Sequence, residues 1–100
     1  MKRYERANRL AREKRHEEAE ELYRELMPLV ERTLGPNHRN TLTTKLKYAN
    51  TLSALKKYEE AEKIELTVVR GREDLLGPND PDTLAAKNNY GVTLTKRFKY

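Results

Sequence analysis

The chain has 100 residues, 37% of them charged and 36% apolar, no cysteine, and a net charge of +5. This length holds one domain, or a piece of one, with a modest core, and the missing cysteines exclude a disulfide framework or a thiolate metal site. No apolar run reaches the length of a membrane span or signal-peptide core, so the expectation is a soluble, cytoplasmic protein with no membrane role.

The first fifteen residues carry seven basic side chains: Lys2, Arg3, Arg6, Arg9, Arg12, Lys14 and Arg15. Glu5 and Glu13 dilute them, and no bulky apolar face backs them as membrane-seeking helices require. Beyond this, Ala19, Leu22, Tyr23, Leu26, Leu29 and Val30 recur at three- and four-residue steps and predict an amphipathic helix. Its start is acidic (Glu17, Glu18, Glu20, Glu21) and Arg24 and Arg32 come later, the order a helix dipole favours.

The phrase LGPNHRNTL follows at residues 34–42. Gly35 is expected to close the helix as a left-handed C′ residue and Pro36 to forbid its continuation, with His38 or Asn40 capping the next. Leu42, Leu46, Ala49 and Leu52 then make one helical face. Ala61, Ile64, Val68 and Leu75 make the face of its successor, which opens with Glu59, Glu60 and Glu62 and carries Arg70 and Arg72 later. Gly71 interrupts that successor, weakening it by about 1 kcal/mol relative to Ala and predicting a thin spot in the core. At residues 76–84 the phrase returns as LGPNDPDTL, identical at six of nine positions and 42 residues on. Here Asp80-Pro81-Asp82 offers a capping oxygen, a proline at the first helical position and an acid in the first turn.

A 42-residue shift extends the match. Ala7-Asn8 falls on Ala49-Asn50, Leu10 on Leu52, and Glu17-Glu18-Ala19-Glu20 on Glu59-Glu60-Ala61-Glu62. Lys45 falls on Lys87, Tyr48 on Tyr90, Thr51-Leu52 on Thr93-Leu94, and Tyr58 on Tyr100. Self-similarity at a fixed period marks a stacked repeat array. The division is repeat 1 over about 1–33, repeat 2 over 34–75 and half of repeat 3 over 76–100, a single domain of two and a half repeats and five helices.

The motif Leu76-Gly77-Pro78-Asn79-Asp80-Pro81-Asp82-Thr83-Leu84, with Asn88-Asn89-Tyr90-Gly91 and Tyr58-Glu59-Glu60-Ala61-Glu62, resembles the tetratricopeptide repeat. The resemblance is to the 42-residue kind found in kinesin light chains and covers essentially the whole chain. It implies an all-α fold in which antiparallel helix pairs stack into a right-handed superhelix. It also implies a scaffold that binds a protein or peptide in a concave groove lined by the first helix of each pair. The chain departs from the family at the turn within each pair, where glycine is usual and Lys14, Lys56 and Phe98 occupy or adjoin its place. A left-handed non-glycine residue there costs roughly 1 kcal/mol, which predicts a turn built differently.

Carried over by position, the groove face holds Tyr4, Glu5, Asn8 and Arg12 in the first repeat. The second contributes Thr43, Leu46, Lys47 and Asn50, and the third Ala85, Asn88, Asn89, Val92 and Lys96. Asparagine amides donate to and accept from a peptide backbone, while Arg12, Lys47 and Lys96 favour acidic ligands. The family's carboxylate-clamp pattern is half met: Asn8 and Asn50 fit it, but Tyr4 and Leu46 stand where basic residues are wanted. The competing reading of all these residues is an ordinary solvated helix face. The family pattern expects a further helix over Tyr90, Leu94 and Phe98, supplied by a longer array, a partner or a second copy. The alternative function is accordingly a homodimer paired through the third repeat.

Nucleic acid ranks below both, because lysine and arginine alternate with glutamate and no aromatic–basic stacking motif is present. His16, near Glu20 at helical spacing, and His38 lack a third converging ligand. Asn79, Asp80 and Asp82 lack the closing glutamate of a calcium loop. No phosphate loop, nucleophile elbow or paired-carboxylate site is recognisable, so neither catalysis nor a cofactor is expected.

Overall fold

The computed structural model describes residues 2–98. Its five helices are α1 (Lys2–Arg12), α2 (His16–Leu34), α3 (Arg39–Ala54), α4 (Tyr58–Leu76) and α5 (Pro81–Phe98). No strand occurs among the described residues. Tyr100, matched to Tyr58 in sequence, lies outside them. Connections of three or four residues fold each helix back along its predecessor, and each packs chiefly on its neighbours in sequence. The stack measures 37 × 33 × 18 Å, its short dimension close to two helix diameters. The fold is an all-α helical-repeat solenoid.

The turns within pairs keep the left-handed residue that sequence reasoning expected them to avoid. Lys14 has φ 61° and Lys56 φ 63°. Around them the Lys14 N–H reaches the Ala11 carbonyl at 3.1 Å and the Arg15 N–H reaches Leu10 at 2.8 Å. Lys56 to Ser53 at 2.9 Å and Lys57 to Leu52 at 2.8 Å repeat the arrangement. These paired bonds are a Schellman motif, which satisfies two orphan carbonyls at each helix end. They hold the lysines in a conformation that glycine would adopt more cheaply.

The joints between pairs differ from expectation in the opposite sense. Gly35 (φ 90°, ψ 157°) and Gly77 (φ 93°, ψ 160°) have positive φ but extended ψ. This region is essentially closed to other residues, so glycine is required here more strictly than at a left-handed C′ position. Beyond each glycine the next helix is capped: His38 Nδ1 accepts from the Asn40 N–H at 3.0 Å, and Asp80 Oδ1 from the Asp82 N–H at 2.9 Å. A lysine from the following helix then ties the joint down. Lys45 reaches the Pro36 carbonyl at 3.5 Å and Glu31 at 3.5 Å; Lys87 reaches Pro78 at 3.4 Å and Glu73 at 3.2 Å.

The main core lies between the first two pairs: Ala7 and Leu10 of α1, Ala19, Tyr23, Leu26 and Met27 of α2, Tyr48, Ala49 and Leu52 of α3, and Ala61 of α4. A smaller cluster of Val68, Val69 and Ala86, backed by Tyr90, joins α4 to α5. Gly71 leaves no thin spot. A Cβ built on it would stand 2.7 Å from Leu42 Cδ2, so the missing side chain makes room for a leucine that is itself buried. Leu29, at the matching place on α2, is 41% exposed because no described residue of α1 repeats the role of Leu42. It borders an open apolar cavity of about 460 Å³ with Leu26, Val30 and Leu34. Leu75, predicted on the apolar face of α4, is also exposed, among Arg39, Thr43 and Arg72. Leu46 is only half-buried.

Further ion pairs cross between helix pairs. Buried Glu20 of α2 is held by Arg24 and by Lys57 Nζ at 2.8 and 3.0 Å. That hydrogen bond is the main cause raising the Lys57 pKa. Glu62, the matching residue of α4, pairs with Arg97 of α5.

Candidate functional site

The helical period that buries Ala7 and Leu10 of α1 turns Asn8 and Arg12 to the other side. In α3 it buries Ala49 and Leu52 and leaves Lys47 and Asn50 outside the core. These four polar side chains, predicted as groove residues, line one cavity of about 300 Å³. Tyr4, also predicted, lies beneath Lys47, whose Nζ sits 5.5 Å from the ring centroid. That distance is within reach of a cation–π attraction. Asn88, Asn89 and Lys96 are not brought into this cavity. They lie on α5, where Val92 occupies the register of Asn8 and Asn50 and is 44% exposed.

Four residues not predicted for the site complete the cavity: Ala11, Thr51, His16, which is the first residue of α2, and Tyr23. Tyr23 is buried, and its hydroxyl donates to Asn8 Oδ1. Burial is the main cause pushing its pKa up to about 12, with Tyr4 adding and Arg12 opposing. The phenol is therefore a neutral donor at ordinary pH. Its bond occupies the Asn8 carbonyl oxygen, so the amide NH₂ is what Asn8 has left to offer. His16 Nδ1 is buried with no hydrogen-bond partner among the described residues. No carboxylate lines the cavity. Among the described residues, none pairs with Arg12 or Lys47, although Lys45, Lys57, Lys87 and Arg97 all have acidic partners. The lining is thus rich in donors and positively charged.

Forty-two residues after Tyr23 stands Glu65, 2% exposed, with Oε1 buried and unpartnered. Burial is the main cause raising its pKa; the neighbouring Thr93 hydroxyl opposes this, Glu62 adds to it and Lys96 opposes it.

On α5, Phe98 is 70% exposed, with the Arg97 guanidinium 4.7 Å from its ring centroid. Tyr90 and Leu94, grouped with it from the sequence, are half-buried, Tyr90 against the Val68–Val69–Ala86 cluster. Leu84 and Val92 are the further large apolar residues exposed on this helix. No group of three or more histidine, aspartate or glutamate side chains among the described residues is placed to hold a metal ion. No described helix is long and apolar enough to cross a membrane.

Comparison with known proteins agrees with this architecture over most of its length. No curated protein matches the chain. A family model described as tetratricopeptide repeat matches residues 2–74, which takes in α1 to α3 and nearly all of α4. With that match over stacked helix pairs of 42-residue period, the chain belongs to the tetratricopeptide repeat family.

Proposed function

We propose that this chain is a non-catalytic scaffold that binds an extended, acidic segment of a partner protein along the polar face of α1 and α3. Repeats of this family generally mediate protein–protein interaction. The observation that carries the reading is the convergence of Asn8, Arg12, Lys47 and Asn50 on one cavity without an acidic residue in its lining. Donors held in place by packed helices bind anions with little reorganisation, and charge-assisted hydrogen bonds are the stronger kind. The 42-residue period and the Leu-Gly-Pro joints support placement in the kinesin-light-chain-like subgroup.

The test is a peptide-array screen read against Asn50→Ala combined with Lys47→Glu. Binding of acidic peptides should fall at least tenfold while the circular dichroism spectrum stays unchanged. Undiminished binding by the folded double variant would remove the site.

A second reading, self-association through α5, draws on the exposed Leu84, Val92 and Phe98.

A further inference from the structure

We infer that the cavity between α1 and α3 selects a dianionic phosphoryl group, as on a phosphorylated side chain of the bound segment, over a single carboxylate. The inference rests on the groove reading above and narrows its ligand. Arg12 and Lys47 place two positive charges in the lining, with no acidic residue to neutralise them there. Asn8 contributes an amide whose oxygen is already taken by Tyr23, and Asn50 a second carboxamide. His16 adds an imidazole whose Nδ1 has no hydrogen-bond partner among the described residues. One carboxylate carries a single charge and leaves a fixed cation uncompensated. A phosphoserine carries about −1.5 to −2 and three acceptor oxygens, which match two cations and the surrounding donors. The family's carboxylate-clamp arrangement is not what performs this, since Tyr4 and Leu46 hold two of its basic positions. Here the two cations are Arg12 and Lys47, with the His16 imidazole beside them.

The probes are three blocked peptides, identical except for a central phosphoserine, glutamate or serine, titrated into the isotopically labelled protein. The side-chain amide resonances of Asn8 and Asn50 report binding. The phosphoserine peptide should bind about tenfold more tightly than the glutamate peptide, and the serine peptide more weakly than either. Arg12→Gln or Lys47→Gln should bring the first ratio close to one, and His16→Gln should lower it several-fold. Arg70→Gln, which removes an exposed cation on α4, should leave it unchanged. Equal affinity for phosphoserine and glutamate would overturn the inference and leave the groove reading standing. Absence of binding by all three, to a folded protein, would remove both. A phosphoserine preference that survives Arg12→Gln and Lys47→Gln would place the phosphate elsewhere on the basic surface and overturn the assignment. So would a short RNA that outcompetes the phosphopeptide for the same resonances, since the ligand would then be a nucleic-acid backbone.

Discussion

Lys14 and Lys56 each hold a left-handed backbone that their Cβ atoms disfavour. Exchanging either for glycine removes that penalty while adding backbone freedom to the unfolded chain. The net expectation is a gain of roughly 0.5–1 kcal/mol per site, which raises the melting temperature by several degrees in a domain of this size. Thermal circular dichroism of the single and double variants checks it, and the two gains should add because the turns are separate. Glu65 makes the opposite kind of contribution. Its pKa is raised in the folded state, so the native protein binds more protons than the unfolded chain once the pH exceeds the ordinary glutamate value of 4.5. Stability then declines as pH rises from there through the folded pKa, and the full penalty remains above it. Glu65→Gln should therefore stabilise the protein at neutral pH and flatten that decline; denaturant titrations across pH 4.5–7.5 check both. These features were hidden from the sequence for a common reason. The turn position was legible at Lys14 and Lys56, but the pattern did not show that the turn keeps its left-handed geometry without glycine. Glu65 falls at an inward helical position where the period calls for an apolar residue, and only packing shows that it stays buried.

At the level of the helix, Gly71 separates what periodicity can establish from what it cannot. All five helices and both joints were readable from apolar spacing, the acidic starts of α2 and α4, the Leu-Gly-Pro phrase and the 42-residue match. Which side chain fills which gap was not, because Leu42 and Gly71 meet only once α3 is packed on α4. Helix propensity alone favours Gly71→Ala by about 1 kcal/mol. The added methyl meets a buried leucine at 2.7 Å, and overpacking of this kind costs about 1–3 kcal/mol. The expected result is a net loss of stability for Gly71→Ala, recovered when Leu42→Val is combined with it. A melt showing simple stabilisation by Gly71→Ala would mean that Leu42 moves aside freely. The same limit applied to the site. The face bearing Asn8, Arg12, Lys47 and Asn50 was legible from family register, whereas the Tyr23–Asn8 bond and the part played by His16 emerged only from the α1–α2 packing.

Across the whole molecule, burial is uneven. Tyr23, Tyr48, Leu10 and Leu52 knit the first two pairs together, while α5 sets its Ala86 and Tyr90 on Val68 and Val69 of α4. Local stability follows buried apolar contact, so α5 is the element expected to open first. If self-association covers it, light scattering over a hundredfold dilution should show a dimer dissociating as helicity falls, and Leu94→Glu should abolish the dimer. A mass and melting curve unchanged by dilution and by Leu94→Glu would end that reading. The joints have a different consequence. Each contains its own glycine, its own cap and its own lysine tie, and both are built alike from residues recurring at one period. Inserting or deleting 42 residues, cut at any point in the period, leaves every remaining joint with a full set of parts. Tandem duplication in the gene can therefore lengthen or shorten such a protein in a single step without breaking a joint.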